Sequence, residues 1–94
     1  MCIRDSVVAA IRERLRAYDL VIRWGGDEFV CVLPDATREE GERTLADIEQ
    51  HVRDRTSGRS VSTGLASLES GDTAATLVDR ADQALYARRE VLRA

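Results

Sequence analysis

Two consecutive glycines, Gly25 and Gly26, set between two short runs of strand-forming residues, constrain this chain more than any other feature. Leu20 to Trp24 reads as one strand. Glu28 to Leu33 reads as a second, with Phe29, Cys31 and Leu33 on one face and Val30 and Val32 on the other. A glycine pair between two such runs closes a β-hairpin, because glycine enters positive φ without a Cβ penalty. Pro34 ends the second strand, since it has no N–H to offer a ladder.

Helical patterns surround this hairpin. Val7 to Tyr18 reads as an amphipathic helix with Val8, Ile11, Leu15 and Tyr18 on its inner stripe. Thr37 with Glu40 forms a capping box that starts a second helix, running to about Arg53, with Gly41, Leu45, Ile48 and Val52 facing inward. Ser57-Gly58 breaks it. Ser60 to Leu68 reads as a third strand with Gly64 inside it. Gly71-Asp72 opens a last helix whose inner face is Leu77, Val78, Ala81, Ala84 and Leu85. The order helix, strand, strand, helix, strand, helix predicts an α+β fold, most of a ferredoxin-like βαββαβ unit. The predicted domain covers residues 7–94. Met1 to Ser6 has no place in the helical pattern and reads as a non-native leader.

The 94 residues suffice for one small domain, and a net charge of −3 argues against a nucleic-acid binder, which carries a basic face. All 14 basic side chains are arginine, so a phosphate held by a long cation must be held by arginine. Cys2 and Cys31 suggest no disulfide framework, and Cys31, inside an apolar run, reads as a small core residue. No segment is apolar enough to span a membrane or serve as a signal peptide. The expectation is a cytoplasmic segment with no membrane contact, whose parent protein could be anchored in the inner membrane.

Chemistry points to the hairpin tip. A glycine pair leaves the backbone bare for close approach by a ligand, and Asp27 and Glu28 follow at once. Carboxylates are hard ligands suited to Mg²⁺, which takes one or two of them plus substrate phosphates. Taken alone, the turn is explained equally well by conformation. The whole string Gly25-Gly26-Asp27-Glu28-Phe29, however, resembles the name-giving motif of the GGDEF family. Leu33-Pro34, Ser62-Thr63-Gly64-Leu65-Ala66 and Ala81-Asp82-Gln83-Ala84-Leu85-Tyr86 resemble that family's later motifs in the same order.

The resemblance implies a truncated GGDEF fold, ferredoxin-like or polymerase-palm-like, with the first central strand missing. It implies a diguanylate cyclase that condenses two GTP into cyclic di-GMP with release of pyrophosphate, across a homodimer of such domains. Asp27 and Glu28 would hold Mg²⁺ (or Mn²⁺) and serve as the catalytic acids, and Gly25 and Gly26 would admit the nucleotide. Arg89 stands where the family has lysine, and Arg93 lies four residues on. Together they would hold the β- and γ-phosphates, although the family's glycine before the final arginine is replaced by Leu92. Arg16-Ala17-Tyr18-Asp19 matches the family's inhibitory RxxD site, where cyclic di-GMP binds as product and inhibitor. There Arg16 would contact guanine O6 and N7, and Asp19 would accept from N1 and N2. As a mere helix-surface pair these two would contribute only about 0.2–0.5 kcal/mol.

The family's further metal aspartate, its guanine-reading asparagine and its associated lysine have no counterpart in these 94 residues. This predicts a fragment inactive on its own and marginally stable, with sheet edges left bare. The alternative is a non-catalytic cyclic di-GMP receptor or an inactive remnant. His51 and Trp24 read as structural. The family commonly governs biofilm formation and motility.

Overall fold

A computed structural model describes residues 3–23 and 28–93, and the side chains of residues 5–22 and 28–90. The elements are α1 (Ile3–Glu13), β1 (Leu20–Arg23), β2 (Phe29–Val32), α2 (Arg38–Arg55) and α3 (Ala74–Arg93). They divide into two compact units, residues 1–61 and 62–94.

The first unit is built on the packing of α1 against α2. Its core is Val7, Ala10 and Ile11 from α1 with Ile48 and Val52 from α2, and Val52 is completely enclosed at 0% exposure. Burying side chains such as Ile48 and Val52 contributes about 1.5–3 kcal/mol each. β1 and β2 pair antiparallel in the register Leu20↔Val32, Val21↔Cys31, Ile22↔Val30 and Arg23↔Phe29. The alternation sends Val21, Cys31 and Phe29 onto the helical core, joined by Leu15, Leu45 and Val61. Burial, with the negative charge of Asp19 adding to it, pushes the Cys31 thiol up to about 11, so it stays protonated.

The start of α2 follows the capping box read from its sequence. Thr37 N–H donates to Glu40 Oε1 (3.0 Å), and Glu40 N–H donates to Thr37 Oγ1 (3.1 Å). The helix runs two residues beyond Arg53, to Arg55. It stops as the chain enters positive φ at Ser57 and Gly58, where Gly58 N–H caps the Arg53 carbonyl at 3.0 Å. Gly41, Ile48 and Val52 are buried as the periodicity requires.

Two features depart from the sequence reading. α1 takes in Ile3 to Ser6, which the periodicity leaves out, and stops at Glu13 rather than Tyr18. Its end tightens through Arg14 N–H to Ile11 O (3.1 Å) and Leu15 N–H to Arg12 O (3.2 Å). Tyr18 then lies beyond the helix and is 59% exposed rather than on an inner stripe. The predicted third strand, Ser60 to Leu68, forms no ladder, and the described residues contain only the two-stranded sheet. A strand exists through its neighbour, and among the described residues none pairs with this segment.

The tip of α1 is tied to the last turns of α2 by a cluster around Glu13. Arg55 donates from Nε to Oε1 and from Nη2 to Oε2, both at 3.0 Å, and His51 Nε2 donates to Oε1 at 2.8 Å. His51 is therefore structural, as expected. Arg55 first, then His51, hold the Glu13 carboxyl down at about 2, against an ordinary 4.5.

In the second unit an extended strip runs antiparallel to α3. Arg88 Nη1 donates to Thr63 Oγ1 (2.9 Å), and Arg80 Nη2 donates to the Ser67 carbonyl (2.5 Å). Arg80 also forks onto Asp72 (2.9 and 2.8 Å) and reaches Glu69 (3.1 Å), which holds the turn before the helix and keeps the Asp72 carboxyl well below the usual range. Thr73 caps α3 by exchanging hydrogen bonds with Thr76 (2.9 and 3.1 Å). Gly64 allows the close approach. A Cβ there would stand 2.5 Å from both Ala81 O and Leu85 N.

Two outcomes follow from this packing. Gly64→Ala meets backbone rather than a flexible side chain, so it lowers stability by about 1–3 kcal/mol in urea unfolding. An unchanged midpoint contradicts the contact. Because Glu13 has a depressed folded pKa, its contribution is complete above about 4.5 and lost as pH falls toward 2. Melting curves from pH 6 to 2 are expected to show a smaller acid loss in Glu13→Gln than in the parent, and parallel curves exclude the cluster as a source of stability.

Candidate functional site

The hairpin register brings Arg23 and Phe29 face to face, so residues 24–28 connect the two strands. Gly25, Gly26 and Asp27 lie outside the described residues, as do Trp24 and the side chain of Arg23. Glu28 directly precedes β2, is exposed, and has no hydrogen bond or ion pair among the described residues. An exposed carboxylate next in sequence to a second one is a fitting donor set for a hard divalent cation that keeps several other oxygen ligands. No group of three His, Cys, Asp or Glu side chains able to enclose a metal occurs among the described residues.

Arg89 and Arg93 are both positions of α3, four residues apart, and so share one helix face. Arg89 is exposed and has no partner among the described residues, which leaves its guanidinium open to an anion. The Arg93 side chain lies outside the described residues.

Arg16 and Asp19 are brought together closely. They lie in the turn between α1 and β1 and not on the helix surface. Arg16 Nε donates to Asp19 Oδ2 (2.9 Å) and Oδ1 (3.1 Å), and Nη2 donates to Oδ1 (2.8 Å). Asp19 Oδ2 also accepts the Arg16 backbone N–H at 2.8 Å, and Asp19 N–H donates to the Arg16 carbonyl at 3.0 Å. The turn is thus closed through both main chain and side chain, and such side-chain-to-backbone bonds compete with helix continuation.

The Asp19 side chain is only 2% exposed, and that of Arg16 is 39% exposed. Hydrogen bonding from Arg16 holds the Asp19 carboxyl below its ordinary range, and the same bond raises the Arg16 guanidinium. Both Asp19 oxygens therefore serve Arg16. For Asp19 to accept from guanine N1 and N2 as the resemblance implies, this pair must open.

Two neighbours of this pair escape sequence reasoning. The Pro34 carbonyl accepts from Arg16 Nη2 at 3.0 Å. A backbone carbonyl carries no signal in the sequence. The Arg16 Cζ also lies 4.7 Å from the centre of the Tyr18 ring, within cation–π range. Tyr18 was hidden by its agreement with the helical period; the signal that exposes it is Asp19 three residues beyond Arg16, which favours a turn.

The chain is similar to known proteins over most of its length. The family model described as "Diguanylate cyclase, GGDEF domain" matches residues 4–93. Diguanylate cyclase DgcP of Pseudomonas aeruginosa is 31% identical over 87 residues, covering 85% of this chain. Response regulator PleD of Caulobacter vibrioides is 35% identical over 98 residues, covering 89% of this chain. The chain spans 13% and 22% of the length of these two relatives. The solved diguanylate cyclase SiaD of Pseudomonas aeruginosa, determined in complex with its activator SiaC, matches 95% of this chain with a TM-score of 0.82 at 29% identity. The match covers 37% of the SiaD chain.

Proposed function

Because the chain belongs to the GGDEF domain family, as its match over residues 4–93 establishes, we propose that it is part of a diguanylate cyclase that joins two GTP into cyclic di-GMP. The observation that carries this reading is the uninterrupted Gly25-Gly26-Asp27-Glu28-Phe29 string between two strands in antiparallel register.

Each turnover makes two phosphodiester bonds. The 3′-hydroxyl oxygen of one GTP attacks the α-phosphorus of the other, the α–β bridging P–O bond breaks, and pyrophosphate leaves. The second 3′-hydroxyl does the same in return, so a pair of domains is required. Asp27 and Glu28 are the residues to hold Mg²⁺ or Mn²⁺, which when bound polarises the phosphates and acidifies the attacking hydroxyl. Asp27 also takes the hydroxyl proton. Gly25 and Gly26 keep Cβ atoms away from the nucleotide, and Arg89 with Arg93 offers forked contacts to the outer phosphates. Arg16 and Asp19 form the site at which cyclic di-GMP binds as inhibitor.

The 94 residues alone hold one pair of motif acids and lack the family's further metal aspartate and guanine-reading asparagine. We therefore expect turnover only from the whole protein that contains this sequence. Among the described residues no helix is long and apolar enough to cross a membrane.

Incubating the whole protein with GTP and Mg²⁺ is expected to yield cyclic di-GMP and pyrophosphate, with Asp27→Asn lowering the rate by about 10²–10⁴-fold. Product binding without turnover would establish a receptor instead. Arg16→Ala is expected to raise the half-inhibitory concentration of cyclic di-GMP roughly 5- to 150-fold, the loss of one guanine contact. Unaltered inhibition in this variant removes the feedback role.

A further inference from the structure

Two arginines strut α3 against the extended strip that precedes it. Arg80 Nη2 donates to the Ser67 carbonyl, and Arg88 Nη1 donates to Thr63 Oγ1 at 2.9 Å. The two donors are separated by eight helical residues, about 12 Å along the axis at a rise of about 1.5 Å each. Their acceptors are separated by four residues of extended chain, about 13 Å at about 3.3 Å each. The two spans match, so the struts cross from helix to strip side by side. Between them lies the close approach of Gly64 to Ala81 and Leu85.

Among the described residues, Arg88 makes the last hydrogen bond from α3 to the strip, and the helix then continues to Arg93. Helix ends fray where nothing outside the helix holds them. Arg88 is therefore the fastening next to Arg89. Adjacent helix residues leave the axis about 100° apart. Holding Arg88 on the strip fixes the roll of this turn, and with it the direction in which Arg89 leaves the helix. Arg89 is exposed and has no partner among the described residues, so only the helix aims it.

We propose that Arg88, through Thr63, is a positioning residue for GTP. It touches no substrate and acts by aiming Arg89 at the outer phosphates. This rests on the phosphate reading of Arg89 given above.

The test is steady-state kinetics of the whole protein with GTP and Mg²⁺. The variants are Thr63→Ser, Thr63→Val, Arg88→Ala, Arg89→Ala and the double variant Arg88→Ala with Arg89→Ala. Thr63→Val keeps the shape of the side chain and removes the acceptor. It and Arg88→Ala are each expected to raise KM for GTP roughly 3- to 10-fold with kcat kept. Thr63→Ser retains the hydroxyl and is expected to match the parent. In the double variant, Arg88→Ala should add nothing to the KM of Arg89→Ala, because a strut has no effect once the group it aims is gone. A merely structural loss would add in full. If Arg88→Ala or Thr63→Val keeps the parent's KM while Arg89→Ala raises it, or if the two arginine substitutions add, the positioning role is wrong and the phosphate reading stands. If Arg89→Ala keeps the parent's KM, or if the whole protein does not turn GTP over, that reading fails and the role of Arg88 with it.

Discussion

The enclosure of Val52 between α1 and α2 is the contact on which the first unit rests. α1 supplies Val7, Ala10 and Ile11, α2 answers with Ile48 and Val52, and the hairpin then lays Val21, Cys31 and Phe29 against the edge of that pair. A two-stranded hairpin is marginal in water by itself. Here its inner face is held by a helical layer. The strands therefore owe their hold to side chains tens of residues away in the chain.

The outer hairpin face is different. Leu20, Ile22 and Val32 are exposed large apolar residues on that face, and β2 has no further strand beside it among the described residues. Apolar alternation on both faces is the pattern of a strand with layers above and below, not of a solvent-facing one. The relatives this chain matches are several times longer, and the proposal that activity belongs to the whole protein agrees with that pattern.

Local signals, the hairpin among them, were legible in the sequence, and the fate of the third strand was not. The Thr37–Glu40 box, the α2 stripe and the alternation of β2 depend on residues within a few positions of one another, and each was readable there. The third strand failed because its existence depends on a neighbour, which no local pattern encodes. The end of α1 was misjudged because Leu15 and Tyr18 continue the helical period, whereas the closing bonds of Asp19 to Arg16 outcompete it. In the candidate site, Arg16 and Asp19 were legible as a motif. Their mutual engagement, the Pro34 carbonyl and the ring of Tyr18 depend on where the chain turns back.

One guanidinium touches both ends of the hairpin's open base. Asp19 immediately precedes β1, and Pro34 follows β2 by two residues, and Arg16 donates to both. Glu28 precedes Phe29 at the opposite end of the same four-rung ladder. The arrangement is that of tongs riveted at the handle. Losing that single guanidinium would unfasten the start of one strand and the end of the other at once.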